Sequence, residues 1–422
     1  MPSLVSIILG AILAADVLWW RRADLCARGW RHAIAWRLLI ALFVSGQMAL
    51  VFWILGGRVL AGSSLASPPQ FLSAAAYLWH LVVLPGWVVL MMIARILFRA
   101  WRSARRPAGV SAFARRAAAT EAPPAPVPGS IQVAPVGLAE SATRRHFLGM
   151  ATTVTPVLLT GAGAAYSQKQ LREFRIRQMH VALPTMPHEL DGLRIALVAD
   201  LHLGTFTNGR TVKRIVEETS RLNADLVLLP GDLINYALAD LSDALDAVCN
   251  MQSRHGAYLC VGNHDLIEDG PEFIRRTRAR VPLLVNESLV VPVRGRLVQL
   301  LGLPWSRDDA VIAASVGQLA SQISPGAFPI LLAHHPHAFD AAAAVGFPLT
   351  VSGHTHGGQL MLTDEFGFGP LMFRYWSGLY RKSDGAALVV SNGVGNWLPL
   401  RINAPAEIIL LTLHSPVVGA VG

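Results

Sequence analysis

Five times after residue 190 the chain repeats one pattern: four to six β-favouring residues that stop in a polar cluster. The runs are LRIALVADLH, ADLVLLPGDL, GAYLCVGNHD, FPILLAHHPH and FPLTVSGHTH. Each reads as a strand, and residues 208–223 and 238–252 between them have helical spacing and good helix formers. Strand-then-helix alternation predicts a layered α/β domain with ligands at the strand ends. No solenoid period is present.

The last run ends in VSGHTHGGQ, residues 351–359. Histidines at i and i+2 on an extended segment point both rings the same way, and the glycines let backbone and ligand approach. Alone the pair reads equally as core packing or as metal ligation. Asp200, Asp232 and Asn263, taken singly, read as turn or helix-cap residues. Five clusters in order are harder to explain that way. They are Asp200-Leu201-His202, Gly231-Asp232, Gly262-Asn263-His264-Asp265, His334, and Gly353-His354-Thr355-His356.

That set, D-x-H, G-D, G-N-H-D, H and G-H-x-H, resembles the calcineurin-like metallophosphoesterases over about residues 190–412. The closing stretch NGVGNWLPLRINAPAEIILLTL is similar to the membrane-anchored branch, which includes phosphodiesterases and UDP-diacylglucosamine hydrolases. The resemblance implies a four-layer α/β/β/α sandwich around two divalent metal ions. Carried over motif by motif, Asp200, His202 and His356 hold one metal. Asn263, His334 and His354 hold the other, and Asp232 bridges them. His264 then faces the substrate as general acid or charge stabiliser, with Asp265 orienting its ring, while a metal-bridging hydroxide attacks phosphorus. Carboxylate, imidazole and amide donors suit Mn²⁺ first, with Fe or Zn²⁺ next, rather than Mg²⁺ or Ca²⁺. Two divalent ions against two carboxylates leave a positive site, and the neutral amide of Asn263 preserves that excess. His335 reads as a residue behind the ligands, His337 as a solvated one, and Asp308 and Asp309 as caps of the next helix.

Composition bears on the rest of the chain. Hydrophobic residues make up 53% and charged ones 15%, a balance that leans toward a membrane protein. The net charge of +9 is unevenly placed: residues 1–145 hold 15 Lys and Arg against 4 Asp and Glu, residues 146–422 hold 21 against 23. The basic excess flanks apolar segments, which argues against a nucleic-acid partner. Apolar stretches at 3–20, 34–56, 71–98 and 147–166 each approach the roughly 20 residues of a spanning helix. The predicted organisation is three spans in 1–100, an Arg-rich then Ala/Pro-rich cytoplasmic linker at 101–145, a fourth span at 146–168, and the metallophosphoesterase domain at 170–422. The arginine-rich loops face the cytoplasm under the positive-inside rule, so the domain lies on the extracytoplasmic side of a bacterial-type plasma membrane. Thr143-Arg144-Arg145-His146-Phe147-Leu148 resembles a twin-arginine signal, with its export machinery as a partner, and reads equally as an ordinary anchor. Cys249 and Cys260 read as a pair or as two free thiols.

The function expected is two-metal hydrolysis of a phosphodiester or pyrophosphate bond on a membrane or lipid-linked substrate. Two alternatives remain. One is a non-catalytic, metal-dependent phosphate or lipid sensor; the other is a cytoplasm-facing UDP-diacylglucosamine-type pyrophosphate hydrolase. Residues 365–382, EFGFGPLMFRYWSGLYRK, are aromatic: Phe366, Phe368, Phe373, Tyr375 and Trp376 read either as hairpin packing or as a rim for acyl chains. Arg374, Arg381 and Lys382 are candidates to meet phosphate or lipid headgroups.

Overall fold

Strand period decides which faces of the second half of the chain are buried, and both faces of its central strands prove to be covered. The computed structural model describes residues 4–59, 68–104 and 137–416, in two units, Met1–Ala164 and Ala165–Gly422. Most of the expected linker, residues 105–136, lies outside the described residues.

The first unit is helical. Helices α1 (Leu4–Ala27) and α2 (Ala33–Val59) precede a continuous helical stretch of α3 (Gln70–Leu78), a π-helical segment at Trp79–Val83, and α4 (Leu84–Ala104). Helix α5 (Gly137–Leu171) runs from this unit into the second and contains the twin-arginine-like residues. Among the described residues three helical stretches are long and apolar enough to cross a membrane: Ala33–Ile54, Gln70–Ala104 and His146–Leu171. Ile34, Leu38, Leu42, Leu90, Ile93 and Leu97 point outward, as lipid-facing side chains do. Inside, Trp19, Val44, Trp79 and Leu84 pack together. Within that apolar cluster Asp16 is fully buried and accepts from Trp79 Nε1 at 2.8 Å. His80 Nε2 lies 3.0 Å from the other Asp16 oxygen, and Nδ1 lies 2.8 Å from the Ala76 carbonyl. A carbonyl only accepts, so Nδ1 carries a proton, and the Asp16–His80 contact needs one more between them. The two side chains thus satisfy each other's polar atoms inside the apolar cluster.

Among the described residues the second unit holds twelve strands in two six-stranded sheets. The first sheet has the order β1 (Phe174–Ala182), β12 (Ala406–His414), β2 (Leu193–Leu197), β3 (Leu226–Pro230), β4 (Ala257–Cys260), β5 (Leu283–Leu284). The second has the order β10 (Gly378–Arg381), β11 (Ala387–Val390), β9 (Leu349–Ser352), β8 (Ala327–Leu332), β7 (Arg296–Gly302), β6 (Glu287–Val293). Strands β2, β3 and β4 run parallel, with Ile195 opposite Leu226 and Leu228 opposite Tyr258. Strands β7, β8 and β9 are parallel as well.

Alternate residues sort between two layers of packing. Leu193, Ile195, Leu197 and Leu228 of the first sheet meet Leu300, Ile330, Leu332 and Val351 of the second, forming the inner core. Ala196, Val198, Val227 and Leu229 turn the other way, onto α6 (Gly209–Arg221), α7 (Leu241–Asn250) and α8 (Gly270–Arg278). Leu301, Leu303 and Leu331 pack on α9 (Asp309–Ala320) and α10 (Ala338–Ala344). The result is four layers, helix–sheet–sheet–helix. Helix α6 shows why the pattern works: Val212, Ile215, Val216 and Leu222 recur at i, i+3, i+4 and i+10 and face the sheet. Asp308 caps α9, accepting from Ala310 N at 2.8 Å, while Asp309 is its first helical residue. Cys260 is buried, Cys249 is exposed, and both are free thiols.

Candidate metal centre

Both sheets deliver their polar clusters to one place. Asp200 follows β2, Asp232 follows β3, Asn263 follows β4, His334 follows β8 and His354 follows β9. All five sit just past the C-terminal ends of parallel strands, where backbone groups leave the ladder and side chains converge.

The loops hold unusual backbone. Asp200, His202, Asp232, His354 and His356 all have positive φ, between 44° and 72°. Such conformations cost about 1 kcal/mol or more apiece outside glycine and persist only where surrounding contacts enforce them. Here they are enforced: His202 N donates to Asp232 O at 3.0 Å, and His354 N donates to both oxygens of Asp200 at 2.9 and 3.1 Å. Glycine is required beside the carboxylates. A Cβ at Gly353 would lie 2.1 Å from Asp200 Oδ2, and one at Gly262 would lie 2.1 Å from Asp232 Oδ1.

The structure brings all seven predicted ligand residues together. The ligand atoms of Asp200, His202 and His356 lie within 4.8 Å of one another, as do those of Asp232, His334 and His354. Asn263 Oδ1 stands 3.1 Å from His334 Nε2. His202 Nε2 and His356 Nε2 are 3.0 Å apart, and His354 Nδ1 is 3.1 Å from His334 Nε2. His264 is half-buried at the edge, its ring 4.6 Å from that of His202, and its own donor atom is within 4.8 Å of those of His202 and Asp232.

Charge in the cluster follows from burial. Burial pushes Asp200 up to about 7, with His334 opposing the shift and the Asp232 charge adding to it. Burial, reinforced by neighbouring cationic groups, drives His202, His354 and His356 well below the usual imidazole range. His334 goes the other way: burial alone would lower it, yet Asp232 and Asp200 hold it up to about 9. A buried carboxylate short of positive charge beside neutral imidazoles with free lone pairs is the chemistry of a cation site. The His202 Nδ1 nitrogen is buried without a hydrogen-bond partner. A surface groove of about 720 Å³ along α6 and α7 is lined by none of the seven.

Asp265 has a different place from the one predicted. It does not orient His264; its carboxylate accepts from the backbone N–H groups of Asp232, Leu233, Ile234 and Gly262 at 2.8–3.2 Å. A carboxylate with two acceptor oxygens is better used tying two loops together than bonding a single ring nitrogen. The His264 ring is instead fixed through Nδ1 by the carbonyl of Asn235. His335 lies behind the cluster, its ring 4.8 Å from that of His354, and burial with the charge of His337 lowers it to about 3.

Three further residues shape the site. Arg401 is fully buried, and Nη2 lies 3.2 Å from His356 Nδ1. Its other N–H groups reach Asn396 Oδ1, Asn392 O, Ala404 O and Gly395 O. The Trp305 ring lies 5.1–5.6 Å from those of His334, His335 and His354 in edge-on or tilted contacts, and Trp397 lies 5.7 Å from His264. Arg401 and Trp397 were within the NGVGNWLPLRINAPAEIILLTL stretch, where their proximity to a ligand had no sequence signature of its own. The aromatic segment divides. Tyr375 is buried with its hydroxyl on Asp340, Phe373 lies 5.9 Å from His354, and Phe366 and Phe368 are exposed. Arg374 and Lys382 pair with Asp340, and Arg381 donates to the Ala182 carbonyl.

Residues 193–358 match the family model described as calcineurin-like phosphoesterase. A zebrafish (Danio rerio) transmembrane protein with a metallophosphoesterase domain is 29% identical over 280 residues, 62% of this chain and 62% of the relative. An uncharacterized metallophosphoesterase of Helicobacter pylori strain 26695 is 30% identical over 57% of this chain and 64% of its own. UDP-2,3-diacylglucosamine pyrophosphatase LpxG of Chlamydia muridarum is 25% identical over 64% of this chain and 99% of its own. The chain thus spans a little over three fifths of the first two relatives. With the motifs, the four layers and this match in agreement, the chain carries a calcineurin-like phosphoesterase domain.

Proposed function

We propose that this domain hydrolyses phosphodiester or pyrophosphate bonds with two divalent cations, on a membrane or lipid-linked substrate. Asp232 carries the reading: Oδ2 lies 3.5 Å from His202 Nε2 and 3.2 Å from His334 Nε2, so one carboxylate serves two donor groups. Asp200, His202 and His356 would hold one cation and Asn263, His334 and His354 the other, with Asp232 common to both. The donors fit, being a mix of nitrogen and oxygen with too little positive charge of their own, and Mn²⁺ is the first choice ahead of Fe and Zn²⁺. Such a pair supplies the positive charge that draws in a phosphoester and offsets the charge building at phosphorus.

The chain's own groups do the rest. With Nδ1–H donated to the Asn235 carbonyl, His264 acts from its imidazolium form, whose Nε2–H is the proton given to the leaving oxygen. Asp265 fixes the loops on which Asp232 and Asn263 stand, and Trp305 and Trp397 shield the imidazoles from bulk water. The lipid-linked substrate is supported by the candidate spans and by the name of the Chlamydia relative. That name also favours a pyrophosphate as the bond cleaved. The arginine-rich loops favour the extracytoplasmic side of the membrane.

The test uses full-length protein in detergent, stripped by chelation, reloaded with Mn²⁺, and offered mono-, di- and pyrophosphate esters. Turnover of di- or pyrophosphate esters, abolished by chelation, is expected. Asp232→Asn should lower both bound metal, measured by mass spectrometry, and kcat. His264→Ala should retain metal and lose roughly two orders of magnitude or more in kcat. Metal binding with no turnover of any ester would convert the reading to a sensor.

A further inference from the structure

Directly after the His356 loop, residues 360–372 fold back on themselves. Met361 bridges Gly367, and the N–H groups of Leu362 and Thr363 both donate to the Phe366 carbonyl at 2.8 and 3.1 Å. This closure buries Met361 and turns Leu362, Phe366, Leu371 and Met372 outward, 72%, 59%, 73% and 66% exposed, with Phe368 beside them. Single exposed apolar side chains are ordinary; five within eleven residues form a patch.

Where the patch sits identifies what it meets. Asn403 Nδ2 donates to the carbonyls of Met361 and Leu362 at 3.1 and 3.2 Å, and Asn403 Oδ1 accepts from Tyr166 OH at 3.0 Å. Tyr166 lies near the end of the candidate span His146–Leu171. At about 1.5 Å per residue this stretch outruns a hydrocarbon layer of roughly 30 Å, so its last turns emerge at headgroup level, where tyrosine is favoured. The same end of the helix is built into the domain: Ser167 Oγ accepts from Arg401 N at 2.8 Å, and Leu171 O accepts from Asn396 Nδ2 at 3.3 Å. The apolar loop is therefore two hydrogen bonds from a membrane interface.

We propose that residues 360–372 are a shallow membrane-inserting loop, with Leu362, Phe366, Phe368, Leu371 and Met372 entering the apolar layer of the bilayer that holds α5. The contact is with acyl chains and not with anionic headgroups. Arg374 and Lys382 are paired with Asp340, and the loop's own charged residues, Asp364 and Glu365, are acidic. It stands independently of whether the cluster cleaves phosphoesters.

The test is nitroxide labelling of the full chain in phosphatidylcholine nanodiscs. Single cysteines replace Phe366 or Leu371 in a Cys26→Ser/Cys249→Ser background that leaves the buried Cys260 in place; both positions are exposed, so the fold is not at issue. Labels in the loop should be relaxed more by oxygen than by a water-soluble nickel chelate, with the reverse at a Val311→Cys control on α9. Preference for the nickel chelate at both loop positions overturns the proposal. So does poor access to both reagents with spin–spin broadening, the signature of a second copy of the chain covering the face.

Discussion

Asp265 accepts four backbone N–H groups, a task that needs acceptors on both oxygens. Asp265→Asn keeps the volume and turns one acceptor into a donor facing other donors. Denaturant unfolding should show a loss of about 2–3 kcal/mol, the cost of unmet buried groups. The pH–rate profile of any hydrolysis should keep its shape, because the residue does not touch the His264 ring. At this scale the seven candidate residues that the structure brings together were legible because each is a polar side chain stranded at the end of an apolar run. Asn235 was not, since it acts through a carbonyl that every residue possesses. Nor was Arg401, whose contact with His356 crosses 45 positions of sequence.

Among the elements, α10 is joined to the residues on either side of β10 by one carboxylate. Asp340 accepts from Arg374 at 2.9 Å, Tyr375 at 3.0 Å and Lys382 at 2.5 Å. Burial raises its pKa, but the hydrogen bonds from Lys382 and Tyr375 outweigh that and hold it below the usual carboxylate range. A folded value below the unfolded one means that the contribution is present above about pH 4 and fades as pH falls through the depressed value. Asp340→Asn should therefore cost stability near neutrality, about 1 kcal/mol or less for so exposed a group, and nothing in strong acid. Thermal melts of both forms across pH check this. Strands and helices of the domain were readable because their periods differ. Helix α5 begins at Gly137, two residues past Pro135, because Ala, Leu and Glu form helix once proline stops intervening.

For the whole molecule, the four layers followed from alternation of strand and helix, whereas the side proposed for the domain rests on arginine placement alone. Alkaline phosphatase fused after residue 422 should be active in bacterial cells if the domain is extracytoplasmic; an inactive fusion would favour the cytoplasm-facing pyrophosphatase reading.

Arg401 is supported through its backbone by Ser167 on α5 and extends its guanidinium to His356 in the cluster. Arg401 thus links the end of the candidate span to the cluster, beside the contacts of Asn396 and Asn403. A protease site engineered at Arg172–Glu173, just past that helix, should on cleavage and release yield a domain with weakened metal retention, so that shedding from the cell would silence the protein instead of liberating a working soluble form.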